Sequence, residues 1–303
     1  MAVRLSDHLK KKYGEKVYRL SLSSGCSCPN RDGSIGITGG CTFCSEGGSG
    51  EFAAPFGDVD KQIDEAKKRI SQKTDAKKFI AYFQSYTNTY GDPERLMALY
   101  KKAAKRDDIV ALSIGTRPDC LGQDIMDMLN ELNAIKPVCI ELGLQTVNDG
   151  TAKKIRRGYE LEVFEKAYDA LKKAGLTVVV HVIFGLPGES EEDMLRTIRY
   201  LSDLTPSLDG IKIQNLQILK GTDLYMEYEE QINGGGAEGD IKIMSMDEYT
   251  DLVAKALAIL PEKTVVHRMT GDGPRKILAA PLWSLDKKRV INMLNRKTRA
   301  LFI

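Results

Sequence analysis

The sequence predicts an α/β fold: a partial (β/α)6 barrel of parallel strands with a C-terminal extension capping it. Three observations carry this. Short apolar, β-branched runs alternate with amphipathic stretches of helical length. The βα unit recurs about six times, and right-handed crossovers then demand a parallel sheet, whether open, partly closed or closed. Each strand-length run also ends in a polar, glycine-containing tail, where TIM-like parallel barrels keep their chemistry.

The runs are VYRLSLS (17–23), KFIAYFQS (78–85), DIVALSIGT (108–116), VCIELGLQ (138–145), LTVVVHVIFGLP (176–187) and GIKIQNLQIL (210–219). They read as buried parallel strands, covered on both faces. Helices are predicted near 58–73, 93–106, 122–135, 149–155, 161–174 and 190–203. DPERLMALYKKAAKR shows the entry signals plainly, with Asp92 as N-cap and Pro93 at the first helical position. No G-x-G-x-x-G follows a strand, so the dinucleotide-binding signal is missing. INGGGAEGD (232–240) predicts a flexible excursion after the sixth strand. The expected layout is an N-terminal helical extension over 1–15, the barrel over 16–225 with a cysteine loop at 26–46, and a capping extension over 226–303.

With 303 residues, 42% hydrophobic and 28% charged, the chain has the balance of a globular protein with one large domain. Its beginning, MAVRLSDHLKKKYGEKVYRL, has no apolar core of a signal peptide, and nowhere do about 18 uncharged apolar residues run together. A cytoplasmic location without membrane contact is expected. The net charge of +2 does not mark a nucleic-acid binder as a whole. Local patches matter more: KKRVINMLNRKTR (287–299) carries Lys287, Lys288, Arg289, Arg296, Lys297 and Arg299 with no acid. Such a face meets phosphate or is simply solvated.

Of the six cysteines, Cys26, Cys28, Cys41 and Cys44 crowd into one glycine-rich loop after the first strand. In a reducing compartment such crowding signals metal binding more than disulfides. Cys28, Cys41 and Cys44 stand as C-x12-C-x2-C in CPNRDGSIGITGGCTFC. Three thiolates hold three irons of a cubane cluster and leave the fourth open. With Cys26 added, a closed four-thiolate zinc site is the alternative, and a zinc-stabilised binding protein without turnover the function that goes with it.

CPNRDG followed by GGCTFC resembles the cysteine loop of radical S-adenosylmethionine proteins of the YhcC/YtqA type, which are similar to the catalytic subunit of Elongator; the likeness covers roughly residues 15–275. The resemblance implies that Cys28, Cys41 and Cys44 ligate a 4Fe–4S cluster, that S-adenosyl-L-methionine completes the open iron, and that Cys26 is not required. It implies reductive cleavage of S-adenosylmethionine to a 5′-deoxyadenosyl radical that abstracts hydrogen, with an electron donor such as flavodoxin or ferredoxin. It points to tRNA, at the wobble uridine, as substrate, with the basic C-terminal segment a possible RNA contact. A small metabolite or peptide is the alternative substrate.

The strand ends supply the remaining candidates for cofactor binding. Superfamily members carry a GGE-like segment after the second strand; here it is QSYTNTYGD, offering Gln84, Ser85, Tyr86 and Asn88. The third strand end offers Ser113, Thr116 and Arg117, the last either gripping a carboxylate or phosphate or pairing with Glu141 at the rim. Around the fourth lie Gln145 and Arg157; on and after the fifth lie His181, Gly185 and Leu186. One His on an apolar strand is commonly structural, and Cys120 and Cys139 read as buried apolar residues. Tyr82, Tyr86, Tyr90 and Tyr225 are candidates for radical relay or base stacking, though packing is their commoner duty. His267, Arg268 and Asp272 sit in a strand-then-loop setting that would cap the open side. No residue is singled out as catalytic.

Overall fold

A computed structural model of the chain describes residues 2–48, 50–234, 239–271 and 273–302. Its strands are β1 (Val3–Arg4), β2 (Val17–Leu22), β3 (Lys78–Phe83), β4 (Ile109–Thr116), β5 (Val138–Gln145), β6 (Thr177–Phe184), β7 (Gly210–Asn215), β8 (Ile218–Leu219), β9 (Val265–Arg268) and β10 (Leu278–Ala280). The helices are α1 (Leu5–Tyr13), α2 (Pro29–Asp32), α3 (Val59–Ile70), α4 (Pro93–Ala104), α5 (Gln123–Ile135), α6 (Asp149–Lys154), α7 (Leu161–Lys173), α8 (Glu191–Ser202), α9 (Asp223–Asn233), α10 (Met246–Ile259) and α11 (Lys287–Thr298). Asp272 and positions 235–238 of the glycine-rich excursion lie outside the described residues.

The main sheet has eight strands in the order β1-β9-β7-β6-β5-β4-β3-β2, every neighbouring pair parallel. The six expected strands form its continuous part. Beyond them, β9 pairs with β7 and β1 with β9, so the 265–268 segment is itself part of the sheet. The expected sixth strand breaks after Asn215, and β8 turns away to pair antiparallel with β10.

The sheet is curled. Arg19 on edge strand β2 reaches His267 on β9, next to the opposite edge, with 2.5 Å between Nη2 and Nδ1. At the strands' N-terminal end α1 contacts β1, β2 and β9, and so lies across the seam.

Strict alternation along each strand explains the curl's two faces. Leu20, Leu22, Ala81, Phe83, Leu112, Ile114, Ile140, Leu142, Val180, Val182, Ile211 and Ile213 belong to one buried core with the helices. Their alternates, Arg19, Tyr82, Ser113, Glu141, His181 and Lys212, meet inside the curl. Phe83 and Tyr100, both fully buried, meet edge to face at 4.8 Å, and burying each side chain contributes about 2–3 kcal/mol. Asp92 caps α4 through Arg95 N with Pro93 first in the helix, as the sequence predicts. Among the described residues no helix is long and apolar enough to cross a membrane.

Candidate active site

The loop after β2 carries the cysteines to the C-terminal mouth of the curl. Cys28 precedes α2, and Gly33 ends that short helix in the left-handed conformation (φ 81°). Two neighbours of Cys28 fasten the loop. Arg31 donates from Nη2 to Cys44 O (3.0 Å) and to Ser45 O, and lies over the Tyr86 ring. Asn30 Nδ2 lies 2.7 Å from Arg156 O, 3.1 Å from Arg157 O and 3.3 Å from Cys41 Sγ. This approach of Asn30 requires glycine at 158: φ there is +84°, and a Cβ would fall 2.4 Å from Asn30 Oδ1.

Cys28, Cys41 and Cys44 line one cavity of about 210 Å³. Burial pushes the Cys41 thiol up to about 12, with Cys44 adding to it, and burial also raises Cys44. Deprotonating them therefore calls for positive charge brought from outside the chain, which bound iron supplies. Cys26 does not join them. It is buried elsewhere, with Arg95 Nη2 donating to its sulfur at 3.4 Å, and it does not line the cavity. The four-thiolate zinc arrangement is thus not built. Nor, among the described residues, do three or more His, Cys, Asp or Glu side chains gather as a single ion requires. Three thiols spread around one cavity suit a cluster in which each sulfur bonds a different iron.

The same cavity is lined by Gln84, Tyr86, Thr116, Arg117, Gln145, Arg157 and His181 of the sequence-derived candidates. Gln145 ends β5 with φ 65°, and its Oε1 accepts from Tyr159 OH at 3.1 Å. Ser85, Asn88, Ser113, Gly185 and Leu186 do not line it. Asn88 is a buried strut, donating to Phe83 O and Gly115 O and accepting from Ser24 Oγ. Ser85 is buried under Gly50, Gly185 opens onto a separate recess beside Met244 and Trp283, and Leu186 packs with Ile155 and Leu216.

Both candidate arginines are already engaged. Arg117 forks onto Asp119 (2.9 and 2.6 Å) and donates to Arg157 O, so its rim partner is Asp119 rather than Glu141. Arg157, 1% exposed, donates to Leu144 O, Thr146 O and Tyr159 O and reaches Asp149 at 3.2 Å. It ties the turn after β5 to the segment before α7.

Below the cavity the inward side chains form a polar floor. Glu141, fully buried, accepts from Ser113 Oγ (2.8 Å), Lys212 Nζ and His181 Nε2 (3.0 Å), and faces Arg19 Nη1 at 3.4 Å. Lys212 also donates to Tyr82 OH at 2.9 Å. Burial alone would raise the Glu141 carboxyl; Lys212, Arg19 and His181 overcome this and hold it well below the usual range. The inward placement of Lys212 follows from register, which sets it between His181 of β6 and Arg268 of β9. Sequence reasoning missed Lys212, Gln214, Arg19, Asn30 and Tyr159. For the first two a signal existed: in GIKIQN the polar residues alternate with isoleucines and so share one face. Ser113, Arg19 and His267 also line a second cavity, of about 850 Å³, at the opposite end of the strands beside α1.

Fold, thiol set and strand-end location together define an enzyme of the radical type, and the family comparison agrees. The family model described as "Radical SAM superfamily" matches residues 34–201 and that described as "Radical_SAM C-terminal domain" matches 208–300, so the chain belongs to the radical S-adenosylmethionine superfamily. Within it the chain falls in the YtqA and YhcC group, related to Elongator. It is 40% identical to protein YtqA of Bacillus subtilis over 97% of this chain and 88% of that one. It is 30% identical to a tRNA uridine(34) acetyltransferase of Methanocaldococcus jannaschii over 56% of this chain and 29% of that protein. Its fold is similar to the solved archaeal Elp3 of Methanocaldococcus infernus (TM-score 0.66, 19% identity, 93% of this chain and 63% of that one). A 4Fe–4S cluster and S-adenosylmethionine are the cofactors of the superfamily and of this chain.

Proposed function

We propose that this chain is a tRNA-modifying radical enzyme in which Cys28, Cys41 and Cys44 hold the cluster and S-adenosylmethionine lies between the loop and the polar floor. The observation that carries this reading is the convergence of the three thiols, without Cys26, on a cavity at the C-terminal strand ends. When bound, the group supplies reductive cleavage of S-adenosylmethionine and hydrogen abstraction from the substrate, fed by a donor such as flavodoxin or ferredoxin. The chain's own part is placement. Asn30 and Arg31 fix the thiols, Gln84, Tyr86, Thr116 and Gln145 offer hydrogen-bonding groups for the methionine and nucleoside portions, and the packed floor excludes water from below.

The tRNA part rests on the uridine-modifying relative and on α11, where Lys288, Arg289, Arg296 and Arg299 are exposed. Lys297 is different: it is tied to Asp247 and Asp251 at 3.0 and 2.7 Å, so it adds little to an RNA-facing field. Anaerobic reconstitution followed by iron analysis and a 5′-deoxyadenosine assay with dithionite and S-adenosylmethionine tests the enzyme class. For the substrate, a Lys288→Ala/Arg289→Ala/Arg296→Ala variant is expected to lose salt-sensitive affinity for unfractionated tRNA, about tenfold or more at low salt. Unchanged affinity would remove α11 from the interface.

A further inference from the structure

Two histidines face the lumen and are bound in opposite senses. On β9, His267 Nδ1 lies 2.5 Å from Arg19 Nη2. A guanidinium only donates, so this nitrogen gives its lone pair and is used up. On β6, His181 Nε2 lies 3.0 Å from Glu141 Oε2. A carboxylate only accepts, so here Nε2 carries the proton and Nδ1 keeps the lone pair. Among the described residues nothing bonds to that nitrogen, and the side chain, 20% exposed, lines the cavity below the cysteines.

The surroundings keep the ring neutral. A second proton would add a cation to a lumen where Arg19 on β2, Lys212 on β7 and Arg268 on β9 already stand around the Glu141 carboxylate on β5. The other titratable neighbours, Tyr82 on β3, Cys139 on β5 and His267 on β9, are held uncharged by burial. Burial and Lys212 accordingly push His181 down to about 4.

We infer that His181 is the hydrogen-bond acceptor of this cleft: a neutral imidazole oriented by Glu141 whose Nδ1 lone pair takes a hydrogen bond from an N–H or O–H of the substrate. Glu141 is the positioning residue. The inference rests on the cavity being the reaction site, and is independent of whether the substrate is tRNA.

With three histidines in the chain, long-range ¹H–¹⁵N spectra of the full-length protein resolve each ring, assigned by His8→Gln, His181→Gln and His267→Gln. His181 is expected as the neutral Nε2–H form from pH 8 to about 5. An Nδ1–H form, or an imidazolium at pH 6, overturns the inference. Diethyl pyrocarbonate at pH 7, read by peptide mass spectrometry, is expected to modify His181 and spare His267; an inert His181 overturns it equally. In Glu141→Gln the fixed tautomer is expected to give way to averaged ¹⁵N shifts, and an unchanged His181 spectrum removes Glu141 from its role. If that variant does not fold, the two wild-type measurements still decide. None of these readings needs iron, whereas failure of the enzyme class shows as absent cluster and absent deoxyadenosine.

Discussion

The cysteine loop and the floor face each other across one cavity, yet the charge at the centre of the floor is already answered by side chains of the chain itself. Glu141 has both oxygens occupied by Ser113, Arg19, Lys212 and His181, and those partners are bonded in turn to Tyr82 and His267. In the loop the supports are in place, Asn30 and Arg31 on backbone carbonyls, but Cys41 and Cys44 are pushed toward the protonated state. One wall thus has its buried carboxylate paired within the fold, and the other, on the proposed reading, awaits iron.

The largest expected effect tests that division directly. Replacing Cys28, Cys41 or Cys44 by Ala should abolish bound iron and sulfide after reconstitution, while Cys26→Ala should keep them. Iron lost with Cys26 would mean that the loop rearranges to a four-thiolate site.

Next comes the floor. Lys212→Met leaves Glu141 with its carboxylate buried and short of its main partner, and should lower stability by about 3–5 kcal/mol in urea unfolding. A loss near zero would mean that the floor is no closed network. The same region makes stability depend on pH. The folded pKa of His181, about 4, lies below its ordinary 6.5, so the unfolded chain binds the extra proton first. Stability should then rise with pH between about 4 and 6.5, and the slope should shrink in His181→Gln. Glu141, held below its ordinary value, adds to the loss as pH falls beneath about 4.

A smaller effect is expected at the loop's support. Gly158→Ala sets a side chain at φ +84° and against Asn30 Oδ1, and should cost about 1–3 kcal/mol with weaker iron retention. If stability falls and iron binding does not, Asn30 holds the backbone and not the thiols.

Much of this was legible from the sequence because it is local. The six central strands and the helix between each pair follow from apolar runs and capping residues such as Asp92. The cysteine cluster shows in the spacing, but spacing left Cys26 as a fourth candidate, and the resemblance set it aside. What escaped depends on partners remote in the chain. VVHR (265–268) is too short to show a period, and its membership of the sheet is settled by β7 and β1 on either side. Arg117 and Arg157 look like ligand-binding cations, but their main acceptors include backbone carbonyls, which no side-chain letter announces. Cys26 has the same letter as its neighbours in the loop, and its separate fate is set by Arg95, 69 positions away.

The layer through Arg19 and His267 divides the inside of the curl. It stands between two chambers, one holding the thiols and one of about 850 Å³ beside α1. The barrel is thus a vessel with a bulkhead, and the arginine–histidine contact bridges its seam inside while α1 covers the strands' N-terminal end. What enters beside α1 therefore meets Arg19, Ser113 and His267 before it could meet a thiol.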